Sequence, residues 1–357
     1  MGKLDMNFIR LLTSLLATWF ASASATEIPV STLADLQQAL ANAHIGDVVR
    51  LTKGSDIALK DGQLIVPEKI TLHGEGVTLT AEPTGDRAAI LLRPGSRLTG
   101  LRIVGPNPLF KDIDSQPIKS GGYAVNCADA EVDHCEIMKF QRGGIAMFRD
   151  SVKAHIHHNH LHDIAAYPIL VGNGSGDGHL IEHNRIEWAW HAIASNGSRG
   201  SGYTARHNEL VRMPRPKAFE ASGSSPPNWC IDIHENNGAA TKPPRPATRL
   251  LIVHDNVFRA HPDVKVGDGS ELLTTNGLYP KHDIYIGPCP SVTTTVDIHH
   301  NRFLMHEKTG STDKFKPYGR AIRLVGLQDH PVLEDDPQPR KDDWKVNIQD
   351  NTFSGVP

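Results

Sequence analysis

Residues 155–162 read HIHHNHLH, five histidines around one asparagine. Alone, the stretch suggests a metal site. Beside the rest of the chain it is one copy of a repeat: VDHCEI (132–137), IHHNHL (156–161), IEHNRI (181–186), ARHNEL (205–210), VHDNVF (253–258), IHHNRF (298–303) and IQDNTF (348–353). The fourth place is held by Cys135, Asn159, Asn184, Asn208, Asn256, Asn301 and Asn351, at separations of 24, 25, 24, 48, 45 and 50 residues. The first three intervals read as single turns of a coil, and the later ones as two turns, some carrying insertions. A period of this size marks a solenoid. The segments are too short for helix pairs and rich in β-branched residues, so each coil reads as short strands joined by turns. Asparagine tolerates the left-handed turn conformation, and stacked asparagine side chains can hydrogen-bond along the axis. The fold class is all-β.

The pattern resembles the right-handed parallel β-helix of pectate-lyase-like proteins, over roughly residues 60–357. Their asparagine ladder occupies the turn between two of three sheets. The resemblance extends to exported polysaccharide lyases and epimerases of this class, although fold alone does not fix chemistry. It explains the histidines without a metal. His157, His158, His183, His207, His254, His299 and His300 recur because the turn recurs, and they read as stacked polar surface. His155, His157, His160 and His162 straddle one turn and could bind Zn²⁺ or Cu²⁺ adventitiously. No supporting carboxylate set is visible beside them, so no metal ligand is assigned.

The chain ends fit an exported solenoid. Lys3 and Arg10 precede the apolar run LLTSLLATWF and the small residues ASASA, a secretory signal pattern over residues 1–25. The expected location is periplasmic or secreted. Residues 26–357 read as one domain: a cap over 26–60, then coils over 61–357 with inserted loops near 105–120, 213–229, 235–250 and 304–319. In the cap, Ser31 or Thr32 precedes a short amphipathic helix with Leu33, Leu36 and Leu40 on one face. This segment resembles the capping helix of β-helix alginate and chondroitin lyases. The net charge of −3 favours neither nucleic acid nor an anionic membrane, and no later stretch has the length of a membrane span. The expected state is a monomer. Cys127, Cys135, Cys230 and Cys289 form no CxxC pair. Buried thiols are favoured over a Cys127–Cys135 disulfide.

One sheet is a candidate groove. Its strands read YAVNC (123–127), GIAMF (144–148), PILVG (168–172), HAIAS (191–195), CIDIH (230–234), DIYIG (283–287) and AIRLV (321–325). Ile145, Ile169 and Ile193 stack inward at one-coil spacing. Alternation then places Asp232, His234, Asp283, Tyr285 and Arg323 outward, on rungs roughly 4.8 Å apart. An acid, an imidazole, a phenol and a guanidinium in such a row suit acid/base chemistry. The Gly/Ser-rich turn SNGSRGSG (195–202) adds Arg199, near Tyr203 and Arg206, as substrate contacts, and Trp229 is a sugar-stacking candidate. The sequence from His191 to Gly197, followed one coil later by D-x-H, resembles a pattern of exported β-helix proteins. That resemblance implies His191, Asp232 and His234 as the site. By alternation His191 falls on the inward side with Ile193, in the turn before the strand.

The favoured expectation is a polysaccharide lyase that eliminates across a uronate: a base for the C5 proton, an acid for the leaving oxygen, and a cation for the carboxylate. His234 or Tyr285 would be base or acid, and Arg323 or Arg206 the cation. A glycoside hydrolase is the alternative, with Asp232 and Asp283 as two carboxylates. A non-catalytic polysaccharide-binding or metal-site maturation protein is the third reading, since some β-helix proteins assist copper-site assembly. Calcium is left open as a cofactor, without a cluster of aspartates to hold it.

Overall fold

The computed structural model describes residues 25–60, 62–109, 112, 119, 121–148, 151–172, 175–195, 201–212, 229–233, 250–260, 284–286, 295–304, 322–324 and 345–354. Residues 1–24, where the sequence predicts a signal segment, and most of the expected insertions lie outside these. Among the described residues there is one α-helix, α1 (Leu33–Asn42), and the remaining elements are strands. None of this is a helix long and apolar enough to cross a membrane.

The strands form three sheets in which every pairing is parallel. Sheet I runs from Glu27–Val30 to Lys345–Gln349, sheet II from Asp56–Leu59 to Thr352–Ser354, and sheet III from Leu64–Val66 to Ile322–Leu324. Each coil visits them in the order I, II, III. One coil is His155–His157, His160–Ile164 and Tyr167–Val171, after which His179–Glu182 returns to sheet I. Parallel crossovers wind right-handed, and the protein is a right-handed parallel β-helix. The coils begin before residue 61, because Val48–Leu51 and Asp56–Leu59 already pair with the next coil. In the coils before Cys135 the I-to-II turn uses glycine, such as Gly54 (φ 85) and Gly100 (φ 72), rather than asparagine, so the asparagine repeat does not mark them.

The asparagine ladder is continuous, and the intervals of 48, 45 and 50 residues are each one coil carrying insertions rather than two turns, because the strands they separate pair directly. The Asn184 carboxamide oxygen accepts from the Asn159 backbone N–H at 3.0 Å, and Asn208, Asn256, Asn301 and Asn351 repeat the arrangement down the axis. Cys135 ends it, donating its N–H to Asn159. The left-handed residue, however, is the one before the asparagine: His134, His158, His183, His207, Asp255, His300 and Asp350 all have φ between 51 and 55. Histidine and aspartate are among the few non-glycine residues enriched there. The recurrent histidine thus serves the backbone of the turn. Its ring stacks on the next coil's, as in His158–His183 (4.8 Å) and His183–His207 (4.9 Å).

The core fills the coil interior with apolar side chains in axial rows. Ile145, Ile169, Ile193 and Ile231 are fully buried and in register; each contributes roughly 1.5–3 kcal/mol by leaving water. Phe258, Phe303 and Phe353 form another row, with ring centroids 4.7 and 5.1 Å apart. Helix α1 packs Leu36 and Leu40 against the first coils, and Thr32 caps it by accepting the Asp35 N–H at 3.1 Å. An uncovered first coil would expose apolar core and strand edge. Cys127 and Cys135 are buried free thiols, and burial pushes both up to about 12; Cys230 is buried as well.

The I-to-II turn stays short throughout: residues 158–159, 207–208 and 300–301 each span it. Long connections fall only on the two edges of sheet III. Between the described strands they are 105–122, 213–228, 261–283 and 305–321 before it, and 234–249 and 325–344 after it. Sheet III is therefore the face that insertions flank.

Candidate functional site

Simple alternation fails at the start of four sheet III strands. Two consecutive residues face the core there: Ala89 and Ile90, Ala124 and Val125, Ala192 and Ile193, Cys230 and Ile231. The residue before each pair is thereby returned to the outside. His191 accordingly faces outward, not inward with Ile193 as alternation predicts. The outer face carries two rows. The first contains Ala88, Tyr123, Gly143 and Tyr167 in register, with His191 stacked on Tyr167. The second contains Asn126, Ala146, Leu170, Ala194 and Asp232, and its register continues through positions 285 and 323.

Over the early coils this face is packed rather than open. Tyr123, Ala146, Leu170 and Ala194 form a second apolar cluster, with Phe148 and Tyr167 against it. Tyr123 and Phe148 meet edge to face at 5.3 Å. Glycine is required at 143, since a Cβ there would lie 2.5 Å from the Tyr167 carbonyl oxygen and 2.7 Å from the Tyr123 ring.

The apolar face ends at a buried ionisable pair. His191 Nε2 lies 3.8 Å from Asp232 Oδ2, with the side chains 2% and 1% exposed. That is ion-pair range, longer than a hydrogen bond. The His191 ring stacks on Trp190 (4.6 Å) and on Tyr167 (5.8 Å, planes 14° apart). Burial, reinforced by the nearby Asp232 charge, pushes the Tyr167 phenol up to about 12, so it holds its proton at neutral pH. An imidazole, a carboxylate and a protonated phenol therefore share one water-poor place, where charges interact strongly.

The other sequence candidates divide. The backbone register puts Tyr285 and Arg323 in line with Asp232 on successive rungs, and Trp229 in line with His191. His234, Asp283 and Arg199 lie outside the described residues. Arg206 and Tyr203 do not face this site, because Gly202–Arg206 has turned the corner into sheet I. Arg206 lies on that sheet's outer face with its Nε 2.6 Å from Glu182 Oε2. Tyr203 points into the coil and is fully buried, its hydroxyl without a hydrogen-bond partner among the described residues. Burial pushes its pKa up. A polymer on the outer face touches neither. Tyr167 is not among the sequence candidates, because the strand reads from Pro168 in the sequence but starts at Tyr167 in the structure; its place one coil before His191 is the signal that marks it.

The histidines at 155–162 also differ from expectation. Carboxylates do stand beside them, supplied by the coils on either side. His157 reaches Glu131 at 3.0 Å, and His160 reaches Glu187 at 2.8 Å. The sequence hid this because the partners lie about one coil away.

No protein-family model matches the chain, and no curated relative is similar to it. Among solved structures it is similar to an alginate lyase from Paenibacillus sp. str. FPU-7. The identity is 13%, the match covers 84% of this chain and 99% of that one, and the TM-score is 0.43.

Proposed function

We propose that this chain is an exported polysaccharide lyase that cleaves a uronate-containing polymer by β-elimination on the outer face of sheet III. The observation that supports this reading is the buried His191–Asp232 pair in register with Tyr285 and Arg323, on the sheet that insertions flank. Elimination demands removal of a weakly acidic C5 proton. His191 takes that proton, and Asp232 at 3.8 Å offsets the charge that the imidazole gains in doing so. Arg323 pairs with the uronate carboxylate and stabilises the charge that develops as the C5–H bond breaks. Tyr285 returns a proton to the departing glycosidic oxygen. Trp190 and Tyr167 give sugar rings an apolar surface beside the pair. Hydrolysis by two carboxylates needs Asp283, which is outside the described residues.

The test is turnover of acidic and neutral polysaccharides, following the ultraviolet absorbance of the unsaturated uronate together with new reducing ends. Wild type is compared with Asp232→Asn and His191→Gln, each checked by circular dichroism for an intact fold. Both signals should rise together in wild type, and each variant should lose ~10²-fold or more. Reducing ends without absorbance would replace elimination by hydrolysis. Folded wild type that binds polymer but yields neither signal would leave a binding module instead.

A further inference from the structure

Away from sheet III, the HIHHNHLH segment builds two nearly identical clusters on either side of the asparagine turn. In sheet I, His155 and His157 leave the outer face two residues apart, their ring centroids 4.1 Å from each other. Glu131 from the preceding coil reaches His157 Nε2 at 3.0 Å, and Glu182 from the following coil reaches His155 Nε2 at 2.8 Å. In sheet II the same roles pass to residues five positions later. His160 and His162 have ring centroids 4.3 Å apart. Glu136 reaches His162 Nε2 at 3.2 Å and Glu187 reaches His160 Nε2 at 2.8 Å. Exposures match as well: 40%, 12% and 36% for the side chains of His155, His157 and Glu131, and 40%, 13% and 36% for His160, His162 and Glu136.

Stacked surface polarity explains the left-handed histidines of the turn, but not these four. They are outside the turn, and each H-x-H pair meets a carboxylate with one donor atom of every member within 4.8 Å of the others. Two donors on a tetrahedral zinc ion, each about 2.0 Å from the metal, stand roughly 3.3 Å apart. The His157–Glu131 and His162–Glu136 separations are already at that value. We propose that Glu131–His155–His157 and Glu136–His160–His162 are twin binding sites for a divalent transition-metal ion of the zinc class. Two imidazoles and one carboxylate suit Zn²⁺, Co²⁺, Ni²⁺ or Cu²⁺ and are a poor set for Ca²⁺, which takes oxygen.

The surroundings fit the assignment. Glu182 and Glu187 hold the outer histidines in place from the next coil, as second-layer carboxylates do for metal-bound imidazoles. Arg97, fixed on the fully buried Asp133 by two hydrogen bonds (2.8 and 2.7 Å), also pairs with Glu131 at 3.3 Å, and Arg102 pairs with Glu136 at 2.6 Å, so a bound cation shares each carboxylate with an arginine. Glu131 and His155 also line a surface hollow of about 350 Å³ together with Ser96, Asp129 and Lys153. A three-ligand ion there keeps an open position with room beside it for water or a small anion.

The test titrates the purified full chain with Zn²⁺ in competition with a chromophoric chelator, and counts retained metal after gel filtration. Two equivalents per chain are expected. His155→Ala/His157→Ala and His160→Ala/His162→Ala should each leave one. His183→Asn/His207→Asn removes two histidines from the turn stack, with asparagine chosen because it tolerates the left-handed backbone; it should still bind two. No retained zinc, or a stoichiometry unchanged in both alanine pairs, overturns the assignment. A single equivalent confined to one cluster, or an equal loss in the asparagine control, overturns it too. Circular dichroism of each variant separates loss of ligands from loss of fold.

Discussion

Replacing Asn184 with alanine removes four hydrogen bonds from the middle of the ladder. Its Oδ1 accepts from the Asn159 N–H and Nδ2, both at 3.0 Å; its Nδ2 donates to the Ile156 carbonyl at 2.9 Å and to Asn208 Oδ1 at 3.0 Å. Two of those partners keep a second bond. Asn159 Nδ2 still donates to the Val132 carbonyl, and Asn208 Oδ1 still accepts the residue-184 N–H. The Asn159 N–H is left buried without its acceptor, at a cost of about 1–3 kcal/mol. The other three lost bonds add roughly 0.5–1.5 kcal/mol each, for a total of about 2.5–7.5 kcal/mol. Asn351 is only partly buried and ends the ladder, so water replaces what alanine removes there, and about 1 kcal/mol is expected. The two variants are compared by guanidinium unfolding, followed by far-ultraviolet circular dichroism. A loss under about 1 kcal/mol for Asn184→Ala, or an equal loss for Asn351→Ala, would falsify the argument that the buried ladder carries stability through unsatisfied backbone.

His179 is 1% exposed, and burial holds its imidazole down at about 4. Because the folded value lies below the unfolded one, its contribution of about 3 kcal/mol is present above pH ~6.5 and lost as pH falls toward 4; His179→Gln should flatten the fall in melting temperature over that window, and an unchanged slope counts against it. Gly143→Ala should destabilise the fold by about 1–3 kcal/mol and displace Tyr167 and Tyr123, read as a change in near-ultraviolet circular dichroism; an alanine variant with wild-type melting and spectrum would contradict the contact. Cys127 and Cys135 should resist a thiol reagent in the native protein and react on unfolding, as mapped by peptide mass. Native labelling of either would mean that its coil opens.

Sequence periodicity alone determined that this chain is a solenoid, and where the I-to-II turn of each later coil falls. Asn159, Asn184 and Asn208 must return to one place at one-coil spacing, since each side chain bonds to its copy and to backbone on the adjacent rungs. The same arithmetic placed Ile145, Ile169 and Ile193 in the core and Asp232, Tyr285 and Arg323 in one row. Tertiary structure decided what alternation could not. The shared bend at the start of sheet III turns His191 outward to Asp232, and a local two-residue rule has no term for a distortion that propagates between stacked strands. It also decided that Tyr203 and Arg206 belong to another sheet, because the corner between sheets lies within a turn whose length the pattern does not fix. The carboxylates beside His155, His157, His160 and His162 came from neighbouring coils. Partners that distant in sequence become neighbours only when the coil pitch brings adjacent rungs to within roughly 4.8 Å.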